Sequence, residues 1–157
     1  MVATTTAQHL RARAERRVVI HNPADAATAQ LVDLALPKTG ATQCLPIANF
    51  RRFLAMITTS ILGGTGPIAL SIYAATSAAG AGGVAVVTHA MGSLPNALND
   101  SVCLECSVEQ IHEVLATATH VGVWVDCNHN DDEVAVLFER ADPLFQHADL
   151  TADYVSS

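Results

Sequence analysis

Along four stretches of the chain, apolar and polar residues change places at every second position. Ile68, Leu70, Ile72 and Ala74 fall on one side of a pleat, against Ala69, Ser71 and Tyr73 on the other. Val102, Leu104, Cys106 and Val108 oppose Ser101, Cys103, Glu105 and Ser107. Val121, Val123, Val125 and Cys127 oppose Gly122, Trp124 and Asp126, and Val134, Val136 and Phe138 oppose Glu133, Ala135, Leu137 and Glu139. A period of two residues over runs of this length predicts half-buried antiparallel strands. Residues 50–59 are apolar on both faces after Arg51 and Arg52, which predicts a strand that is interior or covered by an interface. Shorter strands are expected at 17–21, 31–36 and 84–88.

Turn-forming residues separate these runs: Asn22-Pro23, the segment 37–40, the Gly/Pro cluster 63–67, Gly80 to Gly83, and Gly92 with Pro95. Residues 128–132 (Asn-His-Asn-Asp-Asp) join two alternating runs and read as a hairpin loop. A single short helix is expected after Ser107, which with Gln110 makes a capping box, with Glu109 in the first turn and Val108, Ile111 and Leu115 on one face. About eight short strands and one brief helix predict a mainly β fold, an antiparallel β-sandwich or jelly-roll-like domain. The expected organisation is an extended N-terminal arm over residues 1–16, the β-sandwich over 17–143, and a C-terminal tail over 144–157.

Composition adds the expectation of partners. Half of the 157 residues are hydrophobic, only 15% are charged and 4% aromatic, and the mean hydropathy is +0.32. A surface so poor in charge leaves apolar area to be covered. The net charge of −7 is unevenly spread: residues 1–52 carry seven basic and three acidic side chains, while the rest carry Arg140 alone against twelve acids. The acidic body would be repelled by phosphate, which excludes nucleic acid as the expected partner. No Asp, Glu, Lys or Arg occurs from Phe53 to Asn99, a stretch long enough for a membrane hairpin. Its glycines, Pro67 and the strand alternation argue against one, so no membrane is expected. Residues 1–17 lack the apolar stretch of a secretory signal, and four cysteines fit free thiols in a reducing compartment.

Candidate chemistry is sparse. Cys103 and Cys106 form a C-x-x-C, but on an alternating strand positions three apart point to opposite faces and cannot converge on zinc. Asp126, Asn128 and Asn130 open like an EF-hand loop, yet the sixth position is Asp131 where Gly is needed and the twelfth is Leu137 where Glu is needed. A looser calcium site on Asp126, Asp131 and Asp132 stays open beside a plain polar turn. Gly80-Ala81-Gly82-Gly83 resembles a dinucleotide-binding fingerprint, but β-branched residues follow where a helix would have to start. The seven histidines lack metal-ligand spacing, and no nucleophile elbow is present. No catalytic residue, cofactor or metal is expected, and the chain reads as non-enzymatic.

The segment FRRFLAMITTSILGGTGPIALSIYAATSAAGAGG (50–83) resembles small virion structural proteins of tailed bacteriophages, in which an interior strand passes through a Gly-rich turn into a strand ending in a Gly-containing loop. The segment ATHVGVWVDCNHNDDEVAVLFERADP (118–143) is similar to the paired strands that close such domains. The resemblance implies a head decoration (cement) protein, localised to a virion assembled in the host cytoplasm. It also implies contacts with the major capsid protein and with copies of itself, as a homo-oligomer, with a trimer expected. Arg11, Arg13, Arg16 and Arg17 are the expected partner-binding residues, anchoring the arm on an acidic lattice. A tail or neck component of the same kind of virion is the nearest alternative. A soluble calcium- or carbohydrate-binding β-sandwich module is the alternative from another class.

Overall fold

Residues 14–21, 30–34, 43–61, 67–90, 100–127 and 129–143 are described by the computed structural model. The segments predicted as distal arm and tail, 1–13 and 144–157, lie outside them. The strands are β1 (Ala14–His21), β2 (Gln30–Leu31), β3 (Leu45–Pro46), β4 (Phe50–Ile61), β5 (Pro67–Ala75), β6 (Val84–Ala90), β7 (Ser101–Ser107), β8 (His120–Cys127) and β9 (Glu133–Pro143). The helix α1 (Val108–Val114) lies between β7 and β8. The alternating runs become β5, β7, β8 and β9 within a residue or two of their predicted starts. β1 begins at Ala14, so Arg16 belongs to a paired strand and not to the arm in which the sequence reading placed it.

Two antiparallel sheets result. One has the order β1-β9-β4-β7, the other β2-β8-β5-β6, with β3 pairing the same edge of β8 as β2 does. With β2 and β3 taken as one interrupted strand, the chain makes two four-stranded sheets in which nearly every connection passes from one sheet to the other. This is the jelly-roll form of the β-sandwich. The predicted mainly β fold is therefore what the chain adopts.

The core is the sum of the inward rows. Phe53, Ala55 and Ile57 of β4, Leu70, Ile72 and Ala74 of β5, Val121, Val123 and Val125 of β8, and Val134, Val136 and Phe138 of β9 are all almost fully buried. Phe53 and Phe138 stack with centroids 6.5 Å apart at 11°. Each of the Val, Leu, Ile and Phe side chains among them contributes about 1.5–3 kcal/mol by leaving water. The predicted interior strand, β4, lies between β9 and β7, which satisfies both backbone edges.

The local signals that name one residue hold. Ser107 Oγ accepts from the Gln110 amide at 3.3 Å while Gln110 Oε1 accepts from the Ser107 amide at 2.9 Å, closing the capping box. Ile111 then points into the core, and α1 packs on β4, β6 and β7.

The expected hairpin at 128–132 is a correction. β8 and β9 belong to different sheets, and the loop between them is an arch. Alternation shows that each strand buries one row but is silent on which sheet holds it. In the fold β8 lies between β5 and the β2/β3 edge, and β9 lies between β1 and β4, so neither has an edge free for the other. The two strands consecutive in sequence that do pair as a hairpin are β5 and β6. Their turn uses Gly80 and Gly82 at φ +80° and +62°, a region that L side chains avoid. Of the strand expected at 31–36, residues 35–36 lie outside the described residues; Leu31 pairs Trp124, the Val32 amide donates to the Val123 carbonyl at 2.9 Å, and Val32 and Leu34 enter the core.

Thr59 is fully buried, and its hydroxyl has no hydrogen-bond partner among the described residues. Burying an unpaired hydroxyl costs about 1–3 kcal/mol. Thr59→Val keeps the shape and removes the polar atom, so stability should rise by about 1 kcal/mol, or roughly 2–4 °C in Tm. Calorimetry checks this, and an unchanged or lower midpoint counts against it.

Candidate functional site

Because one row of each strand is used by the core, the other row faces outward. The outward row of the β1-β9-β4-β7 sheet is unusually apolar. Val18, Leu137, Met56 and Cys103 stand side by side across all four strands. The neighbouring row is Ile20, Ala135, Thr58 and Ser101, with the Thr58 and Ser101 hydroxyls 2.8 Å apart. Val18 and Ile20, on β1, the outermost of the described strands in this sheet, are 63% and 42% exposed. Edge strands ordinarily carry charge to prevent sheet-to-sheet contact; here the arginine–carboxylate pairs gather at one end of the face, and Glu133, bonded to Ser60, stands at the other.

There the expected anchor residues are found engaged within the chain. Arg16 Nε donates to Glu139 Oε2 at 2.5 Å, across the β1–β9 ladder. Arg17 binds Glu15 at 2.7 Å, on the inward side of the same strand. Arg52 pairs with Glu105 and lies 3.6 Å from Asp142. Arg11 and Arg13 lie outside the described residues.

Glu15 also meets Arg140, the one basic residue of the last two-thirds of the chain. Arg140 is 8% exposed, donates to the Pro46 carbonyl at 2.6 Å and lies over the Phe50 ring at 4.5 Å. This cluster ties together the ends of β1, β3, β4 and β9, and the sequence held no sign that these residues would meet. Burial lowers the Arg140 pKa, although Glu15 opposes the shift. Burial by itself would raise the Glu15 carboxyl, but the Arg140 charge and the hydrogen bonds from Arg17 and Arg140 outweigh it and hold the group below its ordinary value.

On the other sheet the outward face of β5, β6 and β8 carries a groove of about 200 Å³, lined by Ala69, Ser71, Ala85, Thr88, Trp124 and Asp126. Trp124 packs against Tyr73 at 4.8 Å between ring centroids.

The candidate ion and thiol sites come apart in three dimensions. Asp132 is fully buried, and its carboxylate accepts the His129 amide at 3.1 Å, closing the arch from within. Asp131 is exposed beside His129, while Asp126 faces the groove of the opposite surface. Among the described residues no three His, Cys, Asp or Glu side chains gather as a metal site. Cys103 is exposed on the outer face and Cys106 is buried on the inner one. Desolvation pushes the Cys44 thiol up to about 11, and desolvation with nearby carboxylates pushes Cys106 and Cys127 up to about 12, which makes all three poor nucleophiles. No described helix is long and apolar enough to cross a membrane.

No family model matches the chain, and no curated protein is significantly similar to it.

Two outcomes test the Arg140 cluster. Arg140→Ala leaves the Glu15 charge and the Pro46 carbonyl without their shared partner and should cost about 3–5 kcal/mol in urea unfolding. Because the Glu15 pKa is lowered in the fold, its contribution is present above the unfolded value and lost as pH falls through the folded one. Stability should therefore drop on acidification below the usual carboxylate range. Glu15→Gln should flatten that part of the profile; an identical acid limb would exclude the cluster as its source.

Proposed function

We propose that the chain is a non-enzymatic structural subunit whose β1-β9-β4-β7 sheet is covered by a neighbouring subunit. The observation that carries this is the apolar row Val18–Leu137–Met56–Cys103, which reaches an edge strand exposed at Val18 and Ile20. Four strands about 4.8 Å apart and two outward rows about 7 Å apart span roughly 270 Å². That approaches the roughly 300–600 Å² of the largest apolar patch on a typical monomer, which is often functional. It is about a third of the roughly 800 Å² per partner in a stable interface. The remaining contact area we assign to the N-terminal segment, whose first thirteen residues hold Arg11 and Arg13 and no acid.

As the setting we propose a virion, with the chain as a head decoration (cement) protein holding copies of itself and a major capsid protein. The resemblance of 50–83 and 118–143 to tailed-phage structural proteins supports this setting. Jelly rolls recur in viral capsid proteins, a likeness of architecture that does not by itself fix a role. Arg16 and Arg17 already hold carboxylates in their own chain, so anchoring of the arm on an acidic neighbour falls to Arg11 and Arg13.

Light scattering after size exclusion tests the reading. The full chain should run as a defined oligomer, and Val18→Lys, a change at an exposed position, should weaken assembly at least tenfold while leaving the far-ultraviolet circular dichroism spectrum of the fold unchanged. A monodisperse monomer at all concentrations would overturn it. Arg11→Ala with Arg13→Ala should weaken attachment to particles and reduce its salt dependence; equal occupancy at every ionic strength would remove the arm from the account.

A further inference from the structure

The groove on the outer face of the second sheet is built differently from the apolar face described above. Three strands supply it in register. Trp124 of β8 stands beside Ser71 of β5, which stands beside Thr88 of β6; the adjacent row runs from Asp126 to Ala69. Alanines and short hydroxyl side chains on β5 and β6 leave a trough next to the tall indole of β8, and Asp126 stands at one end. The Ser71 and Thr88 hydroxyls are 2.8 Å apart and bonded to each other, which leaves further lone pairs available to a ligand. The half-buried Asp126 carboxylate makes no hydrogen bond to another described residue.

This set of groups selects among ligand classes. Among the described residues no Lys or Arg lines the trough and its one charge is negative, so phosphate and carboxylate ligands are disfavoured. One carboxylate with two neutral hydroxyls is too few donors for a hard divalent cation, which takes six to eight oxygens as Ca²⁺. A single aromatic side chain does not make the cage that quaternary ammonium groups use. What remains is a molecule with an apolar C–H face and a rim of hydroxyls. Its C–H groups meet the negative face of the indole, and its hydroxyls donate to Asp126 and exchange hydrogen bonds with Ser71 and Thr88. A volume near 200 Å³, below the range of drug-sized pockets, admits one ring.

We propose that the trough formed by Trp124, Asp126, Ser71 and Thr88 binds one ring of a neutral saccharide. The site lies on the sheet opposite the proposed subunit contact, so covering one face leaves the other open to solvent. The inference does not depend on the assembly reading.

Trp124 is the chain's one tryptophan, so its emission, excited at wavelengths the two tyrosines do not absorb, reports on this site. The full chain is titrated with methyl α-D-glucopyranoside, methyl β-D-galactopyranoside and N-acetyl-D-glucosamine. Sodium phosphate and tetramethylammonium chloride are run as controls. At least one sugar should give a saturable change in the millimolar range, and neither control should. Asp126→Asn should weaken that sugar at least tenfold. Ala85→Phe, which fills the trough without touching its polar groups, should abolish binding at an unchanged thermal midpoint. Thr88→Val, at an exposed edge position, serves if Ala85→Phe does not fold, and should weaken binding at least threefold. Saturation by none of the sugars, saturation by a control instead, or undiminished affinity in the filled or hydroxyl-deleted trough would each overturn the proposal.

Discussion

Each strand of this chain can bury one row of side chains, and everything else in the molecule follows from how those rows are brought face to face. Two sheets must close on each other, and nearly every pair of successive strands is divided between them. A strand's hydrogen-bonded neighbours therefore come from far away in sequence. The last strand, β9, slots between β1 and β4, so the first and last described strands hold each other. Core formation and the closing of the sheet edges are one event, and folds with such distant pairings are expected to form slowly.

The same constraint sets the surface. Once Val19, Val134, Val136 and Phe138 point inward, Val18, Ile20, Ala135 and Leu137 must point outward, whatever their polarity. The chain does not place charge at all of these positions. It gathers its ion pairs at one end of the sheet, in Arg16–Glu139 and Arg52–Glu105, and leaves an apolar band beside them. The opposite sheet answers the parity rule with small residues around one large indole, which produces a trough where the first sheet has a band. Two outer faces of unlike chemistry suit a subunit that is held on one side and open on the other.

Charge that looked available in the sequence is partly consumed by the fold. Arg16 and Arg17 read as part of a basic arm because they follow Arg11 and Arg13. In three dimensions they are strand residues with carboxylate partners. Arg140 is the reverse case: an isolated base in an acidic stretch, it becomes the buried centre that joins four strand ends. A charge gains most where its partner is fixed and water is excluded, and only the tertiary structure decides where that is.

What the sequence alone determined was local. The two-residue alternation fixed where β5, β7, β8 and β9 lie and which of their side chains face inward, because side-chain direction in a strand depends on parity and nothing else. Ser107 and Gln110 fixed the start of α1 through hydrogen bonds between neighbours. The i and i+3 spacing of Cys103 and Cys106 was enough to set them on opposite faces. The tertiary structure decided which sheet each strand joins, that the loop at 128–132 is an arch, that β1 is an edge, and that Trp124, Ser71, Thr88 and Asp126 share one trough. Those outcomes depend on which edges remain unpaired once distant strands have met, and parity is the same for a hairpin and for an arch.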